Sequence, residues 1–198
     1  MDKTTIIVIA AVLIILIVAG LLLTKRRRSE RLQSHFGPEY ERAVRETGDK
    51  GKAEAELHDR QKRVEKLDIR PLDRAQRQRF STQWEEVQAE FVDDPKDSIR
   101  GADILLQDVM TARGYPVQNF EQVAADISVD HPTVVQHFRT AHEIAVRHER
   151  GHADTEDLRK AMINYRELFD ELVSEGTESD RQSPSQRTHD DAGTRARV

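Results

Sequence analysis

His148, Glu149 and His152 stand in the order His-Glu-x-x-His within "RHERGHAD", residues 147–154. On one helix, two histidines four positions apart share a face and can ligate zinc through imidazole nitrogens. A glutamate between them can take a proton from a metal-bound water, the chemistry of peptide hydrolysis. Glu171 offers a further carboxylate, with eighteen residues between it and His152. A working site would use His148, His152 and Glu171 as ligands and Glu149 as general base.

That ligand spacing resembles one found in some helical zinc aminopeptidases. The surrounding residues oppose the reading. Gly151 lies inside the string, and Asp154 or Thr155 has the chemistry of the next helix cap, so the helix must end within the motif. Arg147 and Arg150 would set two guanidinium groups beside a dication. His148 continues the apolar stripe Val134, Phe138, Ala141 and Ala145, where a border histidine near a helix C-terminus needs no metal. Glu171 is one step from Leu172 at the edge of another stripe, His131, His137 and His142 are scattered, and no segment resembles the edge strand that aligns a peptide substrate. The string reads as a chance match. No catalytic, cofactor-binding or metal-ligating residue is assigned, no cofactor is expected, and the chain is expected not to be an enzyme.

Other chemistry is not spelled either. The chain has no cysteine, which excludes disulfides, thiolate metal sites and thiol nucleophiles. It contains no G-x-x-x-x-G-K-[ST], G-x-G-x-x-G or G-x-S-x-G, and "DDPKDS" lacks the spacing of a calcium loop. The acidic pairs Glu85-Glu86, Asp93-Asp94 and Asp190-Asp191 fit solvated faces, caps and tail. The formal net charge of −5 divides unevenly: +4 over residues 1–34, −8 over 35–174 and −1 over 175–198. So acidic a middle does not suit phosphate backbones, and nucleic acid is not an expected partner.

The elements that would position any site begin with "TTIIVIAAVLIILIVAGLLLT", residues 4–24, which carry no charge. As a helix these 21 residues span about 31 Å, close to the thickness of a hydrocarbon core. The apolar run is too long for a signal peptide, and its basic residues follow rather than precede it. Lys25, Arg26, Arg27, Arg28 and Arg31 form a basic cluster that predicts a cytoplasmic location for that end, with the N-terminus outside. The same cluster would meet anionic headgroups, each basic residue attracting them by about 1 kcal/mol.

Everything beyond reads as helix. Pro38 starts a short helix that Gly48 stops, and Asp49 caps a charged one with a thin stripe of Ala53, Leu57, Val64 and Leu67. Asp73 caps a helix striped by Phe80, Trp84, Val87 and Phe91, a pattern of core rather than of a ligand box. Asp94 and Pro95 open the next, striped by Ile99, Ala102, Leu106 and Val109 and stopped at Gly114. Asn119 caps "FEQVAADI", and Pro132 is expected in the first turn of the helix carrying Val134 to Ala145. The last helix has the clearest stripe: Leu158, Met162, Tyr165, Phe169 and Leu172. Residues 175–198 hold almost no apolar side chains and predict a disordered tail.

"FGPEYERAV", "KAEAELHDRQKRVEKLDIRPL", "GYPVQNFEQVAADISVDHPTVV" and "AHEIA" resemble segments of an uncharacterised family of bacterial single-pass membrane-anchored helical proteins. The resemblance runs from Phe36 to Val173. It implies a membrane-anchored helical domain and carries over no functional residue.

The fold class expected is all-α: a transmembrane anchor over 1–24, a basic juxtamembrane segment over 25–35, a multi-helix bundle over 36–174 and a tail over 175–198. The expected location is the cell membrane, single-pass, with residues 4–24 in the lipid bilayer and the bundle cytoplasmic. The expected function is protein–protein contact as an adaptor, scaffold or regulator with an unidentified protein partner. The alternatives are a membrane-tethered zinc metallopeptidase using the His-Glu-Arg-Gly-His string, or a membrane-surface component that self-assembles as a homo-oligomer.

Overall fold

The computed structural model describes residues 3–175, and of the side chains before Ala19 only those of Leu13, Leu16 and Ile17. Among the described residues the fold is all-helical, with eight helices and no strand. The tail predicted over 175–198 lies outside the described residues apart from Glu175. The chain divides into two compact units, Met1–Lys66 with Ala125–Thr133, and Leu67–Ala124 with Val134–Val198. The division falls inside the stretch 36–174 that the sequence treats as one domain.

In the first unit, α1 (Lys3–Phe36) runs without a break from the apolar stretch through the basic cluster. Among the described residues no helix is long and apolar enough to cross a membrane. The structure therefore supports the helical character of 4–24 and not its expected role as a span. Most side chains of 4–18 lie outside the described ones. Gly37 breaks the helix, and Pro38 opens α2 (Pro38–Thr47), where a missing N–H costs nothing. The Asp49 side chain caps α3 (Lys50–Val64) by accepting from the Lys52 N–H at 2.7 Å. Leu32, Phe36, Tyr40, Ala43, Ala53 and Leu57 are buried on these three helices.

Two buried carboxylates are paired with arginines in this unit. Glu39, 1% exposed, faces Arg60 of α3 at 3.5 Å and Arg42 at 3.9 Å. Arg63 grips the buried Asp126 at 2.7 Å and so ties α3 to the segment Ala125–Thr133. Buried carboxylates survive only when paired in this way.

The second unit is built from stripes. α4 (Arg74–Glu90) and α8 (Thr155–Ser174) each open on a capping box, at Asp73 with Gln76 and at Asp154 with Asp157. α5 (Pro95–Arg113) opens on Asp94, whose side chain accepts from the Lys96 and Asp97 N–H groups. α7 (Val135–Glu149) and α8 pack together, and α8 also lies on α5 and α4. Leu158, Met162, Tyr165, Phe169 and Leu172 are all buried, as are Ile99, Ala102, Leu106 and Val109. Trp84 stacks on Phe169 with ring centroids 4.6 Å apart. Phe80 and Trp84 of the α4 stripe are thus core, whereas Val87 and Phe91, the latter just past the helix end, are half-buried.

α6 (Phe120–Asp130) carries its residues past Ala124 into the segment assigned to the first unit. It extends three residues beyond the predicted "FEQVAADI". Pro132 is not in a helix as predicted; it lies in a turn, and α7 starts only at Val135. The first-turn N–H groups of α7 find Val134 O instead, from His137 at 3.0 Å and Phe138 at 3.3 Å. Gly114 ends α5 at φ +97°, and the Arg70 N–H donates to Arg113 O at 2.9 Å, bringing the linker before α4 against this turn.

Candidate functional site

The His-Glu-x-x-His string is split by the end of a helix. α7 stops at Glu149, and Gly151 follows at φ +75°. Its N–H donates to His148 O at 2.8 Å, and the His152 N–H to Arg147 O at 2.9 Å. These bonds satisfy the last carbonyls of α7 in the manner of a helix stop. His148 is on the helix, with Nδ1 3.2 Å from Ala153 O, while His152 lies beyond it and is exposed. His148 and His152 therefore do not lie on one continuous helix, in keeping with the helix end expected inside the motif. Glu171 is exposed on α8. Among the described residues no group of three or more histidine, aspartate or glutamate side chains is placed to hold a metal ion.

Glu149 and His148 instead border a cleft of about 320 Å³ between α5, α7 and α8. At its floor the Tyr165 hydroxyl donates to Asp103 Oδ1 at 3.1 Å, and Gln107 Nε2 donates to Asp103 Oδ2 at 2.7 Å. Burial pushes the Tyr165 phenol far up, and the neighbouring carboxylates of Asp103 and Glu149 push it further. The protonated phenol serves as hydrogen-bond donor to Asp103. It fastens α8 to α5. The sequence marked Tyr165 only as an apolar stripe residue, and Asp103, 62 positions away, carried no signal.

The basic cluster is the other sequence-derived feature. Lys25, Arg26, Arg27, Arg28 and Arg31 are all exposed on α1. Arg26 pairs with Glu30 at 3.0 Å. Two grooves flank α1 where it passes the start of α3, of about 460 Å³ and 650 Å³. Lys25, Gly51 and Glu54 line both. The narrower adds Leu22, Arg26 and Lys50, and the wider adds Leu21, Arg28 and Ala55. Below them Tyr40 donates to Glu54 Oε1 at 2.9 Å. Burial acts to raise the Glu54 carboxyl, but hydrogen bonds from Ser29 and Tyr40 and the charges of Lys50 and Lys25 outweigh it and hold it below the usual range. Lys50, Gly51 and Glu54 escape a sequence reading because only the folding of α3 against α1 brings them to the cluster.

Comparison of the chain with protein-family models, with curated proteins and with solved structures finds no match.

Proposed function

We propose that the chain is a membrane-anchored helical module that acts through protein contacts as an adaptor, scaffold or regulator. Residues 4–24 lie in the cell membrane, the N-terminus is outside, and the helices from residue 36 onward are cytoplasmic. The observation that carries this reading is the surface of α1. Leu13, Leu16, Ile17, Leu21, Leu22 and Leu23 are each more than half exposed, and at 100° per residue they point to every side of the helix. A helix apolar all round needs an apolar surrounding. Moving six such side chains out of water is worth about 10 kcal/mol, enough to hold a protein at a bilayer. The exposed basic cluster follows in the next turn of the same helix, at headgroup depth.

The caps and stripes of the cytoplasmic helices serve packing. Exposed apolar side chains on the second unit, Ile104 of α5 and Ile163 of α8, are suitable positions for a partner search.

The chain lacks cysteine, so one introduced thiol reports its own location. With Glu56→Cys in α3, a membrane-impermeant maleimide should label only opened cells. Labelling of intact cells would reverse the topology, and release of the protein by alkaline carbonate would remove the anchor. Photo-crosslinking residues at Ile104 and Ile163 should then capture a heterologous cytoplasmic protein. Self-crosslinks alone would replace the adaptor reading with self-assembly.

A further inference from the structure

We propose that the wider groove between α1 and α3 holds the phosphate of one anionic phospholipid, clamped by Lys25 and Arg28. The inference rests on the anchored reading above and goes further, from a general attraction to a site with one occupant. Leu21 forms the membrane-side end of the groove, and Lys25 and Arg28 lie one and two turns below it on the same helix. An acyl chain can follow the exposed Leu21 while its phosphate reaches the two cations.

The groove has walls from both helices. Gly51 leaves bare backbone on its α3 side, and Ala55 makes a low rim. Its volume, about 650 Å³, is in the range of small-molecule sites. Lys25 and Arg28 face one carboxylate, Glu54, which already accepts from Tyr40. The lining therefore carries one positive charge in excess, matched to the single negative charge of a phosphodiester. The narrower groove has the same excess, Lys25, Arg26 and Lys50 against Glu30 and Glu54, but there Arg26 is engaged by Glu30 at 3.0 Å and Lys50 approaches Glu54 at 3.8 Å, so two of its three cations are already paired within the lining. Arginine suits phosphate because its fork donates two parallel hydrogen bonds. Choline offers no N–H to Glu54 and adds a cation, so phosphatidylcholine fits poorly.

Arg27 separates a site from a diffuse field. It belongs to the same cluster and carries the same charge, but it lines neither groove. Full-length protein in a non-ionic detergent would be titrated with phosphatidylglycerol and examined by native mass spectrometry. Wild type and Arg27→Gln should retain one lipid per chain. Arg28→Gln should weaken retention about tenfold, the loss of one charge-assisted contact. Ala55→Trp, which fills the groove without changing charge, should weaken it similarly.

Equal losses in Arg27→Gln and Arg28→Gln would overturn the site in favour of diffuse attraction. So would retention of phosphatidylcholine as strong as that of phosphatidylglycerol. Displacement of the lipid by an equal concentration of inorganic phosphate would assign the groove to a soluble anion and overturn the lipid. Alkaline extraction of the same proteins from membranes separates the two levels. A chain that stays in the membrane yet retains no lipid refutes the site alone, whereas a chain that leaves refutes the anchor beneath it. Unchanged helical circular dichroism of both variants would show that lost retention is not lost folding.

Discussion

Replacing Gly114 with alanine should unfold the second unit far more readily than replacing Gly151. Both glycines follow a helix with positive φ, +97° and +75°, and both belong to the same unit. Either substitution forces a side chain into the left-handed region at about 1–2 kcal/mol, partly offset by a less free unfolded chain. At Gly151 nothing lies within 4 Å of the added Cβ, so the net loss should be about 1 kcal/mol. At Gly114 the same atom would sit 2.2 Å from Asp68 O and 3.0 Å from Asp68 C. Backbone cannot rotate away as a side chain can. The linker must move, and the 2.9 Å bond from the Arg70 N–H to Arg113 O goes with it. A lost backbone bond plus the displaced packing adds about 2–3 kcal/mol. Trp84 is the sole tryptophan and is stacked in this unit, so its fluorescence follows the second unit alone. In urea, with a slope of about 1–3 kcal/mol per molar, the midpoint for Gly114→Ala should fall roughly 1–2 M below that for Gly151→Ala. Equal midpoints would refute the reasoning, because the linker would then be free to move aside.

Asp154→Ala removes the side chain that accepts from the Asp157 N–H at 2.8 Å and should cost the second unit about 1 kcal/mol by the same fluorescence. Glu54 is held below the ordinary carboxylate range when folded, so its contribution is present above its unfolded value and is lost as pH falls through the lowered one. Tyr40→Phe should flatten that acid-side loss and cost about 1–2 kcal/mol near neutrality, read by circular dichroism of acid unfolding. A pH dependence unchanged by the substitution would count against the Tyr40–Glu54 bond. Tyr165 is pushed up, so stability linked to it is present below its unfolded value and lost as pH rises. In alkaline difference spectra, the Tyr165 phenol should appear only with unfolding, and Tyr165→Phe should reduce that late component.

The helices were legible because their signals are local. Asp73, Asp94 and Asp154 have the chemistry of caps and act as caps, and Gly48 and Gly114 stop the helices before them. The stripe from Leu158 to Leu172 is buried throughout because a 3.6-residue period fixes which side chains share a face. Buried charge was illegible. Glu39, Arg60, Arg113 and Asp126 look like solvated residues in sequence, yet each is at most 7% exposed. Two of them have partners far along the chain: Arg63 and Asp126 are 63 positions apart, and Arg113 donates to Leu172 O at 3.2 Å across 59. No spacing rule reaches that far. Pro132 misled because proline suits both a first helical turn and the turn just before it. The lining of the α1 grooves is legible only in its α1 half, since Gly51 and Ala55 have no chemistry of their own.

Asp126 also fixes an order of events. The first unit contains Met1–Lys66 and then Ala125–Thr133, so it is not finished when its third helix is made. During synthesis α1, α2 and α3 are complete while the partner of Arg63 is still untranslated. That guanidinium must wait through more than sixty further residues for its carboxylate. A chain stopped between 67 and 124 ends with the unit open, and a fragment beginning at 67 carries Ile127 and Val129, buried in the whole protein, without the helices of their unit. No single cut along the chain therefore separates the two units.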